Sequence, residues 1–218
     1  MELRECAREN GVRILGPNCL GLIDTFSRLN ASFAYGMPEK GSIGFFSQSG
    51  ALCVAILDWA IGEKIGFSKF VSLGNMADIS EIDLLIALGE DDNTKVILGY
   101  LEGINEGPTF IQVAKEVSKK KPIILMKAGV TSAGSKAVSS HTGSLAGSES
   151  AYSAAFKQSG VIRARTVMEL FNYAIPFAAQ PLPKGPKLAI LTNSGGPGIL
   201  AADACDRSAL QLAHLKAE

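Results

Sequence analysis

Hydrophobic residues along this chain fall in short continuous runs, each followed by a longer stretch with helical spacing. GSIGFFSQSG, FSKFVSLGN, KVILGYLEG, PIILMKAG and VIRAR read as strands that end in small or polar turns. Between and after them, ALCVAILDWAIGEKIG, ISEIDLLIALGEDDN, GPTFIQVAKEVSKKK, ESAYSAAFKQSG and TVMELFNYAIPFAA read as helices. The strand runs show no in–out alternation, which is the pattern of strands covered on both faces. Strict strand–helix alternation predicts an α/β fold, a doubly wound parallel sheet, over residues 41–180. Ligands of such sheets bind beyond the carboxyl ends of the strands, and the motif-like turns fall there.

Two flanking pieces stand outside this pattern. Residues 1–40 hold one helix, one predicted strand (VRILG) and the turn PNCLG, which reads as the end of a domain. QPLPKGPK is a Pro-rich linker. Residues 185–218 then open a fresh strand–turn–helix, LAILTNSGGPGILAADACDRS, which stops soon after it starts.

Composition narrows the function classes. The 218 residues, 47% of them hydrophobic, suffice for one or two domains with a substantial core. Formal net charge is zero, so there is no basic footprint for nucleic acid. No run of about 18 apolar residues predicts a membrane span. MELRECAREN is charged and helical in character, unlike a signal peptide. Four cysteines without a C-x-x-C pair fit reduced thiols in a cytoplasmic protein. Two histidines and no cysteine pair argue against a dedicated metal site.

Two turns share one form: apolar strand, Ser/Asn/Gly turn, helix. They are GFFSQSGALCVAI and AILTNSGGPGILAADA. A helix N-terminus offers unpaired N–H groups and a partial positive charge, and small residues let a phosphate approach. Ser47, Ser49 and Gly50 have that placement in the first turn; Asn193, Ser194, Gly195 and Gly196 have it in the second. Plain helix capping accounts for the same residues, so both roles stand open. No G-x-S-x-G elbow and no G-x-G-x-x-G fingerprint is present. GVTSAGSK, Gly129 to Lys136, nearly spells a phosphate-binding loop, but its Ser and Lys are reversed and no helix is expected there.

One segment, KAVSSHTGSLAGSES, sets His141 among Ser, Gly and Ala. An imidazole there could be a general base, a metal ligand or a nucleophile toward phosphorus. Metal binding lacks partners, and a general base needs a rigid support. A group that carries phosphorus between two sites instead needs a tether, which Gly143, Ala146 and Gly147 would supply. Such a carrier needs a carboxylate to orient its ring, and Glu102 in GYLEG is the best placed. An exposed loop histidine and an ordinary strand-end acid remain the plainer alternatives. His214, in QLAHLKAE, is assigned no role.

RILGPNCLGLID, GFFSQSGALCVAI, SLGNMADI, YLEGI, SSHTGSLAG and TNSGGPGILAADA occur here in the order seen in NDP-forming acyl-CoA synthetases. The chain resembles that family, which includes ADP-forming acetyl-CoA synthetases, relatives of succinyl-CoA synthetase. The resemblance implies a flavodoxin-like succinyl-CoA-synthetase-type domain at 41–180. It also implies the C-terminal end of a Rossmann-like CoA-binding domain at 1–40 and the start of a second flavodoxin-like ligase domain at 185–218. Acyl-CoA and phosphate would give an acyl phosphate and CoA; a histidine would take the phosphoryl group and pass it to ADP. His141 is the implied phosphohistidine and Glu102 the acid that holds it. Ser47, Gln48, Ser49 and Gly50 match the first phosphate site, with Asn75 close to it; Asn193, Ser194, Gly195 and Gly196 match the second. Asn18 is implied at the CoA end.

CoA, phosphate and ADP/ATP with Mg2+ are the implied cofactors, the nucleotide and magnesium held mainly by regions outside this chain. The implied partners are a small carboxylic acid and its acyl-CoA, an ATP-grasp domain or subunit, and further copies in an oligomer. These 218 residues alone are not expected to run the whole reaction. A non-catalytic ligand-binding module of a fused protein acetyltransferase is the alternative; the presence of His141 and Glu102 argues for the enzyme.

Overall fold

The computed structural model describes residues 2–131, 134, 136 and 148–214. The chain forms two compact units, Met1–Gln180 and Pro181–Glu218. The first unit is built on a seven-stranded sheet. Its strands are β1 (Gly21–Asp24), β2 (Leu29–Ser32), β3 (Lys40–Ser47), β4 (Phe67–Ser72), β5 (Val96–Leu101), β6 (Ile123–Lys127) and β7 (Ile162–Ala164). Its helices are α1 (Glu2–Glu9), α2 (Gly50–Gly62), α3 (Glu81–Glu90), α4 (Gly107–Ser118), α5 (Glu149–Ser159) and α6 (Val167–Ala179).

The spatial order is β2-β1-β4-β3-β5-β6-β7. Strands β4, β3, β5, β6 and β7 are parallel, as the strand–helix alternation predicts. From β3 the chain crosses through α2 to β4 on one side, then returns through α3 to β5 on the other. The order therefore reverses between β3 and β5, and a crevice opens at their carboxyl ends.

The edge beside β4 differs from expectation. VRILG is not a strand. Its backbone lies along residues 75–79, receiving N–H groups from Ile79 at Ile14 and from Ala77 at Gly16, while the Asp78 carboxylate takes the Ile14 N–H. A side chain thus replaces the backbone partner that a strand would need. The strands of this region are instead β1 and β2, an antiparallel pair that joins the sheet antiparallel to β4.

Alternation along each parallel strand feeds two cores. Phe45 and Leu98 point to one face, where they meet Cys53, Ile56, Leu57 and Ala60 of α2 and Phe171 of α6. Phe46 and Ile97 point to the other, against Leu85, Phe110 and Phe156 of α3, α4 and α5. The α2 contacts recur at the i, i+3, i+4, i+7 spacing of one helix face. Phe45 stacks on Phe70 with centroids 4.8 Å apart, and Trp59 meets the Phe171 ring edge-on at 4.8 Å.

The second unit holds β8 (Lys187–Leu188), α7 (Gly195–Asp206) and β9 (Gln211–Leu212), the two strands pairing in parallel. Of the run LAILT, read as a strand, only Leu188 lies in one. No helix among the described residues is long and apolar enough to cross a membrane.

Candidate functional site

At the crevice between the ends of β3 and β5 lies a cleft of about 520 Å3. Asn18, Gln48, Ser49, Gly50, Asn75 and Glu102, all singled out in the sequence, line it together. The topology explains the meeting: residues 48–50 leave β3, and Glu102 leaves its neighbour β5.

The turn after β3 is set by hydroxyls. Ser49 caps α2, its Oγ accepting the Leu52 N–H at 3.3 Å. Ser47 is fully buried and absent from the cleft lining. Its Oγ accepts the Ser49 N–H and donates to the Ser49 carbonyl, both at 3.0 Å. Ser47 therefore shapes the turn from beneath. The N–H groups of Gly50 and Ala51 meet no acceptor among the described residues, as the first turn of a helix dictates. With the helix dipole they give the cleft wall a positively polarised corner, suited to seat an anion. Below the seat, burial pushes the Cys53 thiol up to about 12, so it stays a protonated core residue and no nucleophile.

Gln48 fastens this turn to the next. Its Oε1 accepts the N–H groups of Glu102 (2.5 Å) and Gly103 (3.0 Å), and its Nε2 donates to the Gly103 carbonyl (2.8 Å). Nε2 also donates to Met76 Sδ at 3.3 Å, so the carboxamide is fully committed, and its role is to brace. Glu102 is 9% exposed, and its carboxylate accepts no hydrogen bond from the described residues. Its charge, added to desolvation, helps raise the Tyr100 phenol.

The opposite wall comes from the chain's first forty residues. The Asn75 N–H bonds the Pro17 carbonyl at 2.9 Å, and Asn18 Nδ2 donates to Asn75 Oδ1 at 3.3 Å. Asn18 therefore shares one cleft with the anion seat. Gly74 adopts φ +59°, and a Cβ there would run into the carbonyls of Pro17 and Asn18.

Asn193, Ser194, Gly195 and Gly196 belong to the second unit. Ser194 stands at the N-cap position of α7 without a side-chain cap bond, and Thr192 Oγ1 accepts its N–H and donates to its carbonyl at 3.1 Å each. This is the Ser47–Ser49 turn repeated. His141, with Gly143, Ala146 and Gly147, lies outside the described residues, as do Ser132, Ala133 and Ser135 of Gly129–Lys136.

One residue went unread in the sequence. Lys127 ends β6 in register with Leu101, the residue before Glu102. It is only 5% exposed, and its Nζ sits 4.4 Å over the Tyr152 ring. Desolvation lowers its pKa, which Glu102 and Glu149 pull back up. The signal was there: a lysine closing the apolar run PIILM.

Comparison with known proteins places this architecture. Residues 40–176 match the succinyl-CoA ligase like flavodoxin domain. The chain belongs to this family. Among curated relatives, this succinyl-CoA ligase-like chain is 54% identical over its whole length to the acetate–CoA ligase [ADP-forming] I of Archaeoglobus fulgidus, covering 31% of that protein. It is 53% identical over 99% of its length to the alpha subunit of acetate–CoA ligase [ADP-forming] II of Pyrococcus furiosus, covering 47% of that subunit. Its structure superposes with a TM-score of 0.90 and 44% identity on an acetyl-coenzyme A synthetase from Ca. Korarchaeum cryptofilum solved with phosphate and ADP, over 97% of this chain and 46% of that one. The chain thus spans less than half the length of these relatives.

Proposed function

We propose that this chain is part of an ADP-forming acyl-CoA synthetase that interconverts acyl-CoA, ADP and phosphate with a carboxylic acid, CoA and ATP. The observation that carries the reading is the cleft itself. A helix N-terminus with free Gly50 and Ala51 N–H groups shares it with an uncommitted carboxylate, Glu102, at the switch point of the sheet.

Phosphate held at that N-terminus attacks the thioester carbonyl, and the CoA thiolate leaves, giving an acyl phosphate. A nitrogen of His141 then attacks phosphorus and the carboxylate of the acid departs. Glu102 accepts the ring's other N–H, fixing the imidazole and offsetting its positive charge. The phosphohistidine passes its phosphoryl group to ADP with the Asn193–Gly196 turn as second seat. That turn's hydroxyl geometry, the same as the first, supports this pairing of roles. Asn75 and Asn18 face the seat, Asn18 toward the CoA end.

In this reading residues 1–40 close a CoA-binding domain, 41–180 form the phosphohistidine domain and 185–218 open a further ligase domain. An ATP-grasp domain or subunit completes the nucleotide site, and the assembled enzyme is an oligomer of the cytoplasm. The magnesium that accompanies the nucleotide is held mainly by regions outside this chain.

Incubating the full-length parent enzyme with γ-labelled ATP and magnesium tests the proposal. Wild type takes up label that is lost in acid and kept in alkali, as a phosphoramidate must, and His141→Asn takes up none. Equal labelling of both proteins ends the assignment.

A further inference from the structure

A buried ammonium without a carboxylate partner is expensive, because desolvation is not repaid by contact. Lys127 is such a group. Among the described residues no carboxylate lies within ion-pair distance of it; its Nζ donates to the Ala128 carbonyl and rests over Tyr152. The nearest rival, Glu149, is committed to Arg163, which it holds through two hydrogen bonds. The charges that act on Lys127 are Glu102 from the β5 end, Glu149 from α5 and Arg163 from β7, with the Tyr152 ring beneath its ammonium. Of these, Glu102 alone is an acid with no bound donor.

We propose that Lys127 is a positioning residue for Glu102: its buried ammonium, on the neighbouring strand, acts on that carboxyl from beyond ion-pair distance and leaves both oxygens free for an incoming imidazole. A direct salt bridge would keep the charge but occupy an acceptor. A cation beyond ion-pair distance supplies the field without taking the lone pairs. The register fixes this separation, since Lys127 pairs with Leu101 and Glu102 is the next residue on. The desolvation that depresses Lys127 and the pull of Glu102 that raises it agree with such coupling. This inference rests on the role given to Glu102 above.

Coupling between two titrating groups is reciprocal, so it is measurable from either end. In the full-length enzyme carrying 13Cε-lysine, Lys127→Arg identifies the Lys127 resonance. Titrated upward from neutral pH, that resonance should show a lower midpoint in Glu102→Gln than in wild type, by about half to one unit. From the other end, Lys127→Met should move the acid limb of the pH profile for His141 phosphorylation upward by a similar amount. KM should change little, and Lys127→Arg should leave the limb in place. An unmoved Lys127 midpoint in Glu102→Gln overturns the proposal, as does a Lys127→Met limb at the wild-type pH. Should Lys127→Met not fold, the resonance measurement decides alone. Absence of label at His141 with the coupling intact overturns the functional reading and leaves the electrostatic pairing standing.

Discussion

Gly74 and Gly50 line the same cleft but meet different demands. Gly74 has φ +59° and no room for a Cβ against the Pro17 and Asn18 carbonyls. A Cβ on Gly50 would make only ordinary contact, 3.9 Å from the Leu20 nitrogen and Ser72 Oγ. Gly74→Ala should therefore destabilise by roughly 2 kcal/mol or more, while Gly50→Ala should stay within about 0.5 kcal/mol of wild type. Urea denaturation midpoints at constant m compare the two; similar losses in both would refute the distinction. At this scale the sequence was legible for the residues that touch the cleft, because strand-end turns have a known place in such sheets. It was not legible for Gln48. Residues 47–50 read as one phosphate turn, yet the Gln48 carboxamide reaches a backbone 54 and 55 positions further on. No local pattern encodes that reach, and the same holds for Lys127, whose meaning depends on a neighbouring strand.

Helix α6 shows how an element far from the cleft supports it. Phe171 sits fully buried among Phe45, Phe67 and Trp59, on strands β3 and β4 and helix α2. Phe171→Ala should cost about 3–5 kcal/mol, since three rings lose a partner that nothing nearby replaces. A thermal melt against wild type reads this directly, and a loss below about 1 kcal/mol would show that the rings repack. The parallel strands and their helices were legible because each is a long apolar run with a turn at its end. Strands β1 and β2 were not. Each has four residues, and β2 is mostly exposed, so neither carries a run of its own. VRILG carried the run instead, and the Asp78 carboxylate took the N–H that would have made it a strand.

Across the whole molecule, acid acts on two carboxyls in opposite directions. For Asp91, burial alone would raise the pKa, but the Thr94 hydroxyl, the Asn93 N–H and Lys69 hold it below its ordinary value. Stability from Asp91 is present above the ordinary carboxylate range and is lost as pH falls through its depressed folded value. Glu81, at the start of α3, is 1% exposed and its Oε2 has no hydrogen-bond partner. Desolvation raises its pKa, with Asp83 and Glu106 adding repulsion. The folded state then binds the extra proton, so Glu81 costs stability that grows as pH rises from its unfolded toward its folded value. Glu81→Gln should accordingly raise the melting temperature at pH near 7, with the gain fading to nothing below about pH 4. A gain of the same size at both pH values would show that charge is not the cause.

The brace made by Gln48 has a mechanical consequence. One carboxamide joins the foot of α2 to the backbone at Glu102, so the span between anion seat and acid is a constant of the scaffold. Neither bank can retreat to admit a bulkier guest or advance to grip a smaller one. Under the proposed function, any travel along the reaction path then belongs to what is delivered to that fixed gap.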